Sequence, residues 1–199
     1  ILVTGATSFV GARLLAKLRR LGHSVVGVAA RGADVTCDIT DADTLSAAVA
    51  YIAPTHVYHL DGFVTDSRDK SLLKEMYRTH VRGTHALTQA LAHTGARLIA
   101  SGSNDELGDA PVPYFATTPA NPLSPYGYTK LMATQQVKIY AITRHCDAMV
   151  LRAGALFGPG QRGDAFMPSL LTALQRGEPF AMSQGERRRD FLFVDDYVD

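Results

Sequence analysis

Tyr126 and Lys130 stand four residues apart in Tyr126-Gly127-Tyr128-Thr129-Lys130, a spacing that puts both on one face of a helix. Such a pair suits proton transfer. A phenol with an ordinary pKa of about 10 must drop roughly 2–3 units to exchange protons near neutrality, about 3–4 kcal/mol of differential stabilisation. A neighbouring ammonium supplies much of it. A second chemical pattern opens the chain, where Thr4-Gly5-Ala6-Thr7-Ser8-Phe9-Val10-Gly11 follows a short apolar run and begins a helical one. In that context Gly5 permits a tight turn and Gly11 lets helix and strand approach, while the helix N-terminus offers free amides to a pyrophosphate. The turn reads as dinucleotide-binding, with Gly5, Thr7, Ser8, Phe9, Val10 and Gly11 as its contacts.

The elements that must position these groups alternate. Ile1-Val3, Ser24-Val28, Val57-Leu60, Arg97-Ser101 and Ala148-Leu151 are strand candidates, and helical periodicity fills the gaps at about 9–21, 43–52, 71–93 and 126–144. The first helix aligns Val10, Leu14, Leu18 and Leu21 on one stripe and stops at Gly22. This alternation predicts a parallel sheet covered on both faces, with ligands at the carboxyl ends of its strands. The Pro-rich stretch from Pro111 to Pro125 is a loop placed to wall the site.

A chain of 199 residues, 46% hydrophobic and 20% charged, has the balance of a globular α/β domain. Its formal net charge of +1 makes no field to gather nucleic acid or an anionic membrane. Cys37 and Cys146 suggest neither a disulfide framework nor a zinc site, and His56 and His59, three apart on a strand, point to opposite faces, so no metal is expected. No apolar stretch reaches the roughly 20 residues of a membrane helix, and a soluble, cytoplasmic protein is expected. Both ends look cut, so the chain is expected to be incomplete. At the end of the second strand, Val28-Ala29-Ala30-Arg31 offers no acid for ribose hydroxyls, whereas Arg31 suits a 2′-phosphate, favouring NADP over NAD. Asp41 is expected to cap a helix, and Asp195-Asp196 to begin one.

These motifs resemble the extended short-chain dehydrogenase/reductase family, of the NAD-dependent epimerase/dehydratase type. Its TGxxGxxG pattern is matched with Ser8 in place of the middle glycine, and its SPYxxxK form by Ser124-Pro125-Tyr126 through Lys130. The resemblance implies an α/β doubly wound parallel sheet (Rossmann fold) over residues 1–152. A small, here incomplete, substrate-binding part would begin at 153–199. It further implies that Ser103, five residues before Gly108, orients a substrate oxygen toward Tyr126. Asp38 and Ile39 would line the adenine pocket, and Leu60, Asp61 and Gly62 would lie beside the cofactor. Tyr126 and Lys130 would touch the cofactor as well as act in catalysis.

The same resemblance implies a nucleotide-linked sugar as substrate. Dehydratases of the family carry an Asp-Glu pair after the catalytic hydroxyl. This chain has Asn104-Asp105, and an amide cannot transfer that proton. The Gly102-Ser103-x-x-Glu106 pattern looks like the 4-keto-6-deoxyhexose reductases, which generally use NADPH. Arg189, in Arg187-Arg188-Arg189-Asp190-Phe191, is placed on a substrate diphosphate, with Asn104 and Asp105 beside the sugar. Three positions depart from the family: His80 and Ala155 each replace an asparagine, and Asp61 replaces a small residue. The expected activity is 4-keto reduction. A nucleotide-sugar epimerase with retained NAD and a non-catalytic dinucleotide sensor are the alternatives, and a homodimer is expected by resemblance.

Overall fold

Leu2 and Val3 are fully buried in β1 (Leu2–Thr4), as a strand in the middle of a parallel sheet must be when helices cover both faces. In the computed structural model, which describes residues 1–63, 70–182 and 189–199, Leu2 faces Val26 of β2 (Val26–Ala29) on one side. On the other it faces Val57 of β4 (His56–His59). With β3 (Val35–Thr36), β5 (Arg97–Ser101) and β6 (Ala148–Leu151), the sheet runs β3-β2-β1-β4-β5-β6, all parallel. This is a doubly wound Rossmann sheet, and its order reverses between β1 and β4, where such sheets bind ligands.

The helices follow from their caps and stripes. Ser8 caps α1 (Phe9–Arg20), whose Leu14 and Leu18 are buried. Leu21, expected on the same stripe, is exposed because it is the C-cap, where the chain turns away through Gly22 at φ 81°. Asp41 caps α2 (Ala42–Ile52) through the Thr44 amide. The single helix expected over 71–93 is composite: a 3-10 turn at Lys70–Leu72, α3 (Leu73–Met76), a π-helical segment at Tyr77–Gly83, and α4 (Thr84–Ala90). Ser124 caps α5 (Pro125–Arg144), with Pro125 at the first helical position, where its missing N–H costs nothing. The core joins sheet residues Leu2, Val28, Val57 and Leu98 to Leu45 of α2, Leu87 of α4 and Val137 of α5.

The chain divides into two compact units, Ile1–Arg152 and Ala153–Asp199. In the second, β7 (Ala155–Phe157) pairs in parallel with β8 (Phe191–Phe193), beside α6 (Phe166–Arg176) and α7 (Val194–Val198). Asp195 and Asp196 occupy the first turn of α7, a favourable place for carboxylates at a helix N-terminus. Among the described residues no helix is long and apolar enough to cross a membrane.

Candidate active site

The turn between β1 and α1 has no room for side chains at its glycines. Gly5 sits at φ 65°, and a Cβ there would lie 2.7 Å from the Leu60 carbonyl and the Asp61 amide. A Cβ on Gly11 would lie 2.1 Å from the Gly5 oxygen. The loop after β4 is thereby packed against the glycine turn at the switch point. Ser8, which replaces a family glycine, accepts a hydrogen bond from the Gly11 amide at 3.1 Å and keeps its own proton to donate. Thr7 is exposed, Phe9 and Val10 are half-buried, and the first turn of α1 holds no acidic residue to repel an anion. These features fit a dinucleotide pyrophosphate.

Lys130 is 7% exposed, and its Nζ donates to the Ser101 carbonyl at 2.6 Å. Burial pulls its pKa down to about 8, while Glu106 and then Asp61 oppose that shift. Tyr126, one helical turn earlier, is half-buried. Ser103 is buried, and its hydroxyl accepts from the Asp105 amide at 3.1 Å as cap of the short 3-10 helix Asn104–Glu106. Capping the turn uses the Ser103 hydroxyl as an acceptor and leaves its proton available for donation. Gly127 joins this turn to α5: a Cβ there would lie 2.4 Å from the Asp105 carbonyl. The turn carrying Ser103, Asn104 and Asp105 is thus held against the first turn of the helix carrying Tyr126 and Lys130.

Two buried histidines back the site. His59 bonds Thr4 Oγ1 at 2.8 Å and Thr84 Oγ1 at 3.0 Å, an internal brace that also leaves no role in metal binding with His56. Among the described residues no group of three or more potential ligands could hold a metal ion. His80 Nε2 accepts from the Phe63 amide at 3.1 Å, so Nδ1 bears the proton and donates to Thr129 Oγ1 at 2.9 Å. Thr129 in turn donates to the Tyr126 carbonyl at 3.0 Å, and the His80 ring meets the Tyr126 ring edge-on at 5.5 Å. Desolvation first, and Lys130 second, push both imidazoles down to about 3, so both are neutral.

The remaining expected residues fall into three groups. Asp61 lines the same small cavity as His59, His80 and Lys130, and its pKa is raised by burial and then by Asp38. Leu60 and Gly62 flank it. Asp38 accepts from Thr40 and pairs with Arg78 at 2.9 Å; the Thr40 amide, outweighing burial, and the Arg78 side chain hold its carboxyl at about 2. Sequence reasoning missed Arg78, because its partner is 40 residues away. Ile39, expected at the adenine, has its side chain in the core against Gly83, which leaves its backbone to face a ligand. Arg31 is exposed beside Gly32, which approaches the Thr7 methyl. Asp34, the acid of that loop, accepts from the Gly27 amide at 2.7 Å and pairs with Arg19 toward the far end of α1. Arg189 is exposed two residues before β8 in the second unit, and Arg187 and Arg188 lie outside the described residues. Glu106, read from sequence only as part of a family pattern, is fully buried, with Oε1 accepting from the Ser103 amide at 2.9 Å. The Ser-x-x-Glu capping signature announces it.

Known proteins are similar to this chain over nearly its whole length. UDP-glucose 4-epimerase of Mycolicibacterium smegmatis is 29% identical over all of this chain and 70% of its own length. The dTDP-6-deoxy-L-talose 4-dehydrogenase (NAD(P)(+)) of Kitasatospora kifunensis is 29% identical over all of this chain and 67% of its own. The solved structure of MoeE5 in complex with UDP-glucose and NAD superimposes with a TM-score of 0.88 at 31% identity, covering 99% of this chain and 68% of that one. The model of the NAD dependent epimerase/dehydratase family matches residues 1–199, and with the Gly5–Gly11 turn at the switch point and Tyr126 and Lys130 on α5, the chain belongs to that family.

Proposed function

We propose that this protein catalyses hydride transfer at C4 of a nucleotide-linked sugar, with Tyr126 as acid/base. The observation that carries the reading is the buried Lys130 ammonium one turn from Tyr126, on a helix packed through Gly127 against the Ser103 turn. Gly5, Thr7, Ser8, Phe9, Val10 and Gly11 would hold the pyrophosphate of the dinucleotide, Leu60, Asp61 and Gly62 would flank it, and Asp38 with the Ile39 backbone would face the adenine. When bound, its nicotinamide supplies or accepts the hydride. The Ser103 hydroxyl, its lone pair already engaged by Asp105, donates to the sugar oxygen and orients it. The Tyr126 phenol gives that oxygen a proton in the reducing direction and takes it back in the oxidising one. Lys130 favours the phenolate by its charge. Asn104 and Asp105 would contact the sugar, and Arg189 the diphosphate.

The direction proposed is 4-keto reduction with NADP. Asp34 is turned to Gly27 and Arg19, so Arg31 is the charged side chain left free in the β2–β3 loop. Epimerisation with retained NAD is the second reading, favoured by the UDP-glucose 4-epimerase relative and by NAD in the MoeE5 structure. Titration with NADPH and NADH, followed by addition of 4-keto-6-deoxy nucleotide sugars, separates the two. Net oxidation of NADPH supports the reductase, and tight NAD(H) retention without net oxidation supports the epimerase. Replacing Arg31 with Ala should weaken NADPH about tenfold, roughly 1.4 kcal/mol, and leave NADH unchanged. A homodimer is part of the proposal: Tyr128, Met132, Ile139 and Ile142 are exposed on α5, four, seven and three residues apart, and so share one stripe of the helix, with Gln135 at the intervening position.

A further inference from the structure

Glu106 is fully buried, yet only one of its carboxylate oxygens has a partner: Oε1 takes the Ser103 amide and Oε2 takes none. A capping box is satisfied equally by glutamine, so the cap does not explain a charge. Burying a carboxylate without a counter-ion costs several kcal/mol. Lys130 presents the mirror problem, an ammonium 7% exposed whose hydrogen bond goes to a neutral carbonyl. The two lie on either side of one wall: Thr134, Val137 and Val150 line both the cavity at Lys130 and the larger one at Glu106. Gly102 makes room for the carboxylate, since a Cβ there would lie 2.8 Å from Oε1.

We propose that Glu106 is a positioning residue, its one oxygen fixing the Ser103 backbone and its charge serving as the buried counter-charge that keeps Lys130 protonated beside Tyr126. The inference rests on the catalytic reading of Lys130, Tyr126 and Ser103 given above. Of the other groups facing Lys130, His59 on β4 and His80 on the π-helical segment are neutral, and Tyr126 is the group to be activated. Asp61, beyond β4, adds a smaller pull on the Lys130 proton, its own pKa being raised by burial and by Asp38. Glu106 is the stronger of the two carboxylates that raise the Lys130 pKa.

The test is the Lys130 titration, followed by NMR of 13C-lysine-labelled protein without cofactor or substrate, with the Lys130 signal identified by its loss in Lys130→Met. Glu106→Gln retains the cap and should lower the Lys130 midpoint by about one pH unit, a tenfold weaker hold on the proton. The pH profile of kcat should move in the same direction. An unmoved midpoint overturns the proposal. Should Glu106→Gln prove too unstable to titrate, the double variant Glu106→Gln, Lys130→Met, which leaves neither charge alone, should melt higher than the single one; an additive loss overturns it. Because the titration needs no turnover, a shifted midpoint in a protein inert toward nucleotide sugars would refute the catalytic reading alone. Turnover with an unshifted midpoint would refute Glu106 alone.

Discussion

At the scale of single residues, the site is built from groups held in one protonation state by burial. His59 and His80 are neutral in the folded chain and gain protons once unfolded below their ordinary value of about 6.5. The unfolded state then binds more protons, so stability falls as pH falls. Between pH 6.5 and about 5, above the unfolded range of the paired carboxylates Asp38 and Glu75, the two histidines should bring the slope toward two protons, about 1.4 kcal/mol per pH unit for each, with Asp61, whose pKa is raised, acting in the opposite sense. Urea melts across that range measure it, and His80→Asn should reduce the slope by about one proton. The phenol offers a second check. Tyr126→Phe should lower kcat by about 10²–10⁴ while dinucleotide affinity stays within about twofold of the parent protein, as fluorescence titration would record.

At the scale of elements, Gly127 is where geometry is most exacting. Gly127→Ala would place a methyl 2.4 Å from the Asp105 carbonyl and force turn and helix apart. The expected result is a loss of about 1–3 kcal/mol, as for other overpacked sites, with kcat reduced more than cofactor affinity. Thermal melts and steady-state kinetics check both. The same scale shows what could be read in advance. Strands β5 and β6 matched their expected bounds at Arg97–Ser101 and Ala148–Leu151, because runs of apolar residues bounded by polar ones carry their own signal. Strands β3, β7 and β8 are two or three residues long, too short to show a period, and are defined by the strand each pairs with. The π-helical Tyr77–Gly83 was equally hidden, since one widened turn barely disturbs an apolar stripe. Tyr126 and Lys130 were singled out by their spacing together with the Ser124-Pro125 that precedes them, and α5 carries both one turn apart. Arg78 with Asp38, and His80 with Phe63 and Thr129, required the fold to bring them together.

For the whole molecule, the exposed seam Tyr128, Met132, Ile139 and Ile142 predicts association through α5. Ile139→Arg should convert a dimer to monomer in sedimentation velocity, with little effect on the melting of the isolated fold, since the side chain is 59% exposed. A parent protein that sediments as a monomer at micromolar concentration would remove the homodimer from the proposal. The contact between Gly127 and the Asp105 carbonyl has a wider consequence. Ser103 and Tyr126 ride on one clamped block, so thermal breathing of the sheet reaches them as a shared displacement, and the gap between the two side chains is insulated from errors that accumulate elsewhere in the chain.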